Sequence, residues 1–381
     1  MSTIINTRSP FYKKISNASL FSAKLELSIW TGEIGDKTSS DKKYTLKKQA
    51  IGSNTYVSFE LSKLIRDYMT TEYNNYATDT LWIETVSVIY NSSGGTVSTT
   101  TENYLAIDGY GYFENGINPR TVEYSTPMVL QDNINVYYND GSDIKIPIYA
   151  EAATVTAVLD TDAGANVNWN EANDFWDTYD VNWGDGDEDQ EITDNGDTNQ
   201  KIQYLILTDT EYLSDGDTVT ISSTNGSYSD VVITLKKVCE PKYTPLNIIF
   251  YNKYGALQNL WFFKKSVTNI NITSEQFKNN IIDFDNSGGS PTYSLSKHQE
   301  KKFMANGKES ITINTGFYEE SFNEIIRQMI LSEQVWVYDG NNTLPINLKS
   351  NSLQFKKSVN DKLISYTVQF DYAFDKINNI Q

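Results

Sequence analysis

Apolar and polar residues alternate in long runs towards both ends of the chain. In LFSAKLELSIWTG (20–32), Phe21, Ala23, Leu25, Leu27 and Ile29 share one face, while Ser22, Lys24, Glu26 and Ser28 share the other. Such period-two alternation predicts a half-buried strand. KKYTLKKQAIGSNTYVSFELSKLIRDYM follows, with two short strands either side of Gly52-Ser53-Asn54 and then a helix. Leu61, Leu64, Ile65 and Tyr68 recur at i, i+3, i+4 and i+7, an amphipathic stripe, and Ser58 is its candidate N-cap. TLWIETVSVIYNSSGGTVSTTTENYLAIDGY predicts a hairpin about Gly94 and Gly95.

The far end repeats this style. YTPLNIIFYNKYGALQNLWFFKKS predicts two strands joined by Asn252-Lys253-Tyr254-Gly255. EESFNEIIRQMILSE predicts a second helix, with Phe322, Ile325, Ile326, Met329 and Ile330 on one face. Ile364, Tyr366, Val368, Phe370, Tyr372 and Phe374 alternate with smaller or polar residues. They predict one long terminal strand, whose edge is expected at an interface unless another strand covers it.

Between these ends, TVTAVLD, QKIQYLILT, DTVTISS and SDVVITLKKV are short alternating segments separated by Gly, Asp and Asn turns, the spacing of a small β-sandwich. A chain of 381 residues exceeds one small core. The expected fold is therefore mainly β with a few helices, a β-rich α+β plan in several domains. The expected divisions are a β-rich domain with one helix over 1–150, an acidic sandwich-like domain over 151–240, and a β-rich tail-module-like domain with one helix over 241–381.

Composition sharpens this picture at one place. The net charge of −18 is regional: residues 160–217 hold 13 Asp and 4 Glu against Lys201 alone, and the rest of the chain is almost neutral. Phosphates would be repelled there, so no sequence-specific nucleic-acid partner is expected. The 26 Tyr and 16 Phe suit pleated, half-buried surfaces. A lone cysteine, Cys239, excludes an intrachain disulfide framework and a cysteine-based zinc site. No apolar run reaches the ~18 residues of a membrane span. MSTIINTRSPFYKK also lacks the apolar core of a secretory signal, so synthesis in the cytosol is expected.

Chemistry has few reagents. The single histidine, His298, lies in a basic polar stretch and reads as an exposed loop residue. Carboxylate pairs are the one acid–base resource, and we expect no enzyme. The acidic stretch does offer a cation site. Counted from Asp160, positions 1, 3, 7, 9 and 12 are Asp160, Asp162, Asn166, Asn168 and Glu171, the ligand spacing of a twelve-residue calcium loop. Gly164 at position 5 and Ala165 at position 6 depart from that loop, the second where its sharp turn requires glycine. Calcium held by Asp160, Asp162, Asn168 and Glu171 therefore stands beside a solvated acidic face. Trp169, Trp176 and Trp183 interleave the acids, as aromatics do in glycan-binding clefts. VNWGDGDEDQ (181–190) carries the run Trp183-Gly184-Asp185-Gly186, which resembles the W-x-x-G-D-G turn of polycystic-kidney-disease-like sandwich domains, where its role is structural.

Three stretches together resemble virion structural proteins of tailed bacteriophages that infect Bacteroidota. They are NTRSPFYKKI…AKLELSIWTGE running into VSFELSKLIRDYM, then YTPLNIIFYNKYGALQNLWFFKKS, then GFYEESFNEIIRQMILSEQVWVYDG…LPINLKSNSLQFKKSVNDKLISYTVQFDYAFD. They cover most of 1–125 and 240–381 and leave out the acidic middle. The resemblance implies a tail, neck or hub building block, repeated around an axis by homo-oligomerisation. It implies contact with other tail, neck or portal proteins and a place in the virion. It carries no catalytic residues. The alternative function is a fibre protein or adhesin binding glycans or a receptor through the tryptophan-rich loop.

Overall fold

The structure is a computed structural model that describes residues 3–32, 34–76, 80–118, 128–149, 155–160, 189–192, 202–208, 210, 213–223, 228–238, 242–283, 290–350, 354 and 363–377. The described chain is mainly β and divides into two compact units. The first comprises 1–241, 247–261 and 321–334; the second comprises 242–246, 262–320 and 335–381.

The first unit opens with β1 (Thr3–Asn6), β2 (Tyr12–Ser16), β3 (Ser22–Trp30), β4 (Lys42–Gln49), β5 (Tyr56–Glu60), the helix α1 (Ser62–Arg66), β6 (Leu81–Tyr90) and β7 (Thr96–Ile107). Five of these strands form one sheet in the order β1-β7-β6-β3-β4, and β2 pairs with β5. The inward faces of β3 and β6, the β2–β5 pair and α1 enclose a core built on Leu25, Leu27, Phe59, Leu61, Ile65 and Ile83. The β6–β7 hairpin turns where its glycines predict, with Gly94 at φ +82°. The Asn91 carboxamide oxygen accepts from the amides of Ser93 at 3.1 Å and Gly95 at 2.8 Å. The α1 cap differs from the expectation. Ser58 lies inside β5, opposite Lys14, and Leu61 occupies the N-cap position. Glu60 does the capping instead, accepting from the Ser62 amide at 3.0 Å and from its hydroxyl.

The unit continues with β8 (Asn135–Tyr138), β9 (Ile144–Tyr149), β10 (Val155–Asp160), β11 (Asp189–Ile192), β12 (Ile202–Leu207), β13 (Thr218–Ser223) and β14 (Val231–Lys237). A sheet of order β11-β10-β13-β14-β8 and the β9–β12 pair share one core, including Ile144, Ile146, Leu205, Ile221, Ile233 and Leu235. The arrangement is sandwich-like. The strands β8 and β9 precede residue 151 in sequence but pair with β14 and β12. Their apolar faces therefore belong to this core rather than to that of β1–β7.

The remaining parts of this unit are the hairpin β15 (Leu246–Tyr251) and β16 (Leu257–Phe262), and, far along the chain, α2 (Asn323–Leu331). The β15–β16 turn explains why so distant a segment joins. Asn252 is fully buried. Its oxygen accepts from the amides of Tyr254 at 2.9 Å and Ala256 at 3.2 Å, and its nitrogen donates to the Leu130 carbonyl at 2.7 Å and to Gln258 at 3.1 Å. Gln328 of α2 accepts from the Lys253 amide at 3.1 Å and donates to Asp132. Replacing Asn252 by alanine strands several buried groups and is expected to cost about 3 kcal/mol, read by urea unfolding of the full chain.

The second unit carries β17 (Val267–Lys278), β18 (Ile282–Asp283), β19 (Thr292–Tyr293), β20 (Glu300–Asn314), β21 (Tyr318–Glu319), β22 (Val335–Tyr338), β23 (Thr343–Leu348), β24 (Leu363–Ile364) and β25 (Thr367–Tyr372). Within it the strand order runs β22-β23-β25-β20-β17. Buried Ile311, Ile313, Val337, Ile346, Val368 and Phe370 make its core. The terminal strand corrects an expectation. The alternating run is broken in two, with β24 pairing with β21. β25 is an interior strand, paired with β20 on one side and β23 on the other. β20 covers one edge over residues 367–371 and β23 the other over residues 370–372. The exposed edge belongs instead to β17.

Candidate assembly surface

β17 and β20 form a long antiparallel ribbon. Twelve pairs run from Val267↔Thr312 to Lys278↔Glu300, with a bulge beside Glu275 and Gln276. On its other side β20 is paired with β25 only from Ser310 to Asn314. The C-terminal segment follows to Gly307, whose carbonyl accepts from the Lys376 amide at 2.7 Å. Asn306 donates to Asp375 at 2.8 Å. Beyond that point, residues 300–305 have β17 as their strand partner among the described residues.

This ribbon is unusually exposed for its composition. Eleven of the twelve β17 positions face solvent. Ile272 is 65% exposed and Phe303 59% exposed, and Ile270, Phe277 and Met304 are also exposed. Phe277 and Phe303 touch, with ring centroids 6.0 Å apart. Ile270 lies over Gly307, where a β-carbon would come within 2.8 Å of its Cδ1. A two-stranded ribbon in water is marginal by itself, and exposed apolar side chains on an unpaired edge strand favour pairing with another chain.

Charge distinguishes the ribbon as well. Residues 264–309 hold seven lysines and five acids, a net +2, which leaves −20 for the rest of the chain. A second edge strand gives the contrast. β4 also ends its sheet, and it carries Lys42, Lys43, Lys47 and Lys48 in eight positions. Lysines along an edge discourage pairing with another chain. Over its first eleven residues β17 has Glu275 as its one charge.

The first unit holds a second cluster of ionisable groups. Asp108 is buried. It accepts from the Thr7 hydroxyl at 3.1 Å and faces the Arg66 Nε at 3.4 Å. Glu333 meets Arg66 as well and lies 3.6 Å from the Arg8 Nε. Burial pushes the Asp108 carboxyl up, against the pull of Arg66 and Arg8. The hydrogen bond from Arg66 holds Glu333 below the usual carboxylate range. The two have opposite signs in stability. Asp108 contributes below its unfolded value and loses that contribution as pH rises through its folded one. Glu333 contributes above its unfolded value and loses that as pH falls through its folded one. Two arginines between two carboxylates satisfy the cluster internally, so it fastens α2 to the β7 end rather than offering a free acid or base.

Of the calcium residues anticipated in the sequence, Asp160 ends β10, its backbone opposite Thr218. Asp162, Asn166, Asn168 and Glu171 lie outside the described residues, as do Trp169, Trp176, Trp183 and Cys239. Among the described residues no group of three or more His, Cys, Asp or Glu side chains is placed to hold a metal ion. His298 is exposed on the loop preceding β20. β17 does not stand out in the sequence. VTNINITSEQFK mixes polar and apolar residues on both faces, and the missed signal was an edge-length run with almost no charge. No described helix is long and apolar enough to cross a membrane. No protein-family model matches the chain, and no curated protein matches it either.

Proposed function

We propose that the chain is a structural component of a bacteriophage virion, a building block that forms a tail or head-to-tail ring by homo-oligomerisation. Synthesis takes place in the host cytoplasm, and other tail, neck or portal proteins are its further partners. The observation that carries this reading is the β17–β20 ribbon: long, exposed, and edged by β17, whose first eleven residues carry no lysine where β4 carries four in eight. Covering such a ribbon favours association, and the resemblance of both ends of the sequence to virion proteins supplies the setting.

A second reading, a fibre protein or adhesin that binds glycans or a receptor, is favoured by Trp169, Trp176 and Trp183 among the acids. Negative-stain electron microscopy of the purified chain separates the two. Rings or stacks of copies are the expected result. Single particles retained on a glycan surface would favour the second reading and overturn the first.

A further inference from the structure

The outer edge of β17 is self-complementary, and we propose that it pairs antiparallel with β17 of a second copy about a two-fold axis through Ile272. The inference rests on the assembly reading above and goes on to name its contact.

β17 pairs with β20 on one side and ends its strand order on the other, so every second residue presents its main-chain groups outwards. Two copies that meet edge to edge about an axis perpendicular to the sheet must oppose residues of one parity, because opposed side chains share a face. That condition leaves few registers, and one of them places Ile272 on the axis. It opposes Val267 with Phe277, Thr268 with Gln276, Asn269 with Glu275, Ile270 with Ser274 and Asn271 with Thr273.

The chemistry of this register matches like with like at all but one position. The ends close with apolar Val267 against Phe277. The centre places Ile272 against its own copy, and Ile272 is 65% exposed without a partner. The polar residues meet polar residues, with Ile270 and Ser274 the one mixed pair. Glu275 faces Asn269, so no like charges oppose, a juxtaposition that would destabilise the pair. Shifting by one step of allowed parity puts Thr273 on the axis and sets Phe277 against Asn269 and Ile270 against Gln276; the opposite shift puts Asn271 on the axis and opposes Ile270 with Ile272, but sets Val267 against Glu275 and leaves Phe277 beyond the paired strand. The favoured register adds about ten main-chain hydrogen bonds. Exposure runs along the whole strand, so nothing described in this chain already covers the edge.

A two-fold contact closes on itself. It joins copies in pairs, and closing a ring requires a different, head-to-tail surface elsewhere on the chain.

Cysteine cross-linking tests the register. Directly opposed residues have Cα atoms within disulfide range, whereas residue 270 or 274 would lie roughly 13 Å from its own counterpart. In a Cys239→Ser background, which removes the single native cysteine, the variants Ile270→Cys, Ile272→Cys and Ser274→Cys are oxidised mildly. They are then compared by denaturing gel, and the parent chain is sized in parallel. The expected result is a disulfide dimer for Ile272→Cys, formed at least tenfold faster than for the other two. Three variants that cross-link equally, or a parent that assembles without any cross-link at 272, would overturn the β17 pairing and leave the assembly reading standing. A parent that stays monomeric would overturn both.

Discussion

Gly255→Ala is expected to remove about 3–5 kcal/mol from the stability of the first unit, enough to unfold a marginally stable chain. Gly255 sits at φ +74°, where an L side chain costs about 1–2 kcal/mol. The larger part comes from contact. A β-carbon there would stand 2.8 Å from the Asp108 carbonyl carbon and 2.9 Å from the Gly109 nitrogen, which are backbone atoms with no rotamer to yield. Overpacking of that kind adds about 1–3 kcal/mol. Gly109 explains the closeness from the other side, since its own β-carbon would meet the Lys253 carbonyl at 2.9 Å. The Tyr110 amide donates to that same carbonyl at 2.9 Å. Gly340→Ala is the control. Gly340 also has a positive φ, +97°, but meets nothing within 4 Å, so a loss of about 1 kcal/mol is expected. Urea unfolding measures both. Equal losses for the two variants would mean that the β15–β16 turn is not held against 108–109.

The second large effect concerns association rather than folding. Ile272→Lys combined with Phe303→Lys is expected to weaken self-association at least 100-fold while leaving the melting temperature of the dissociated chain unchanged. Both side chains are more than half exposed, so exposed substitutions of this kind stay within about 0.5 kcal/mol of the parent. In an assembly each lysine would carry a charge into an apolar contact, where burying it unpaired is costly. Sedimentation velocity of parent and variant, each followed by a melt, separates the outcomes. A variant that assembles like its parent would show that the ribbon faces are not the contact.

Much of this fold could be read from the sequence, for a physical reason. Strands with one buried face announce themselves by alternation, as β3, β6, β10 and β14 do, and turns rich in Asn and Gly mark where hairpins close. Partners are not written that way. The final run reads as one exposed strand because alternation reports which face is buried, not which edge is covered. Phe370 is flanked by β20 on one side and β23 on the other, and β20 begins more than fifty residues earlier. The helix cap is hidden on the same ground: Ser58 is committed to pairing with β2, which leaves Glu60 to cap α1. β8 and β9 read with the residues before them, while their partners lie far downstream, β12 inside the acidic stretch and β14 beyond it. The candidate surface was the least legible feature. Its signal lies in what β17 lacks, and a shortage of charge gains meaning only once the strand is known to be an edge.

The central claim is that this chain is a self-assembling building block, and the mass of the purified full-length protein in solution tests it most directly. Mass photometry from nanomolar to micromolar concentration is expected to show species at multiples of 43.2 kDa, the even-numbered ones favoured by two-fold pairing, with larger closed assemblies as concentration rises. A single 43.2 kDa species across that range would contradict the account.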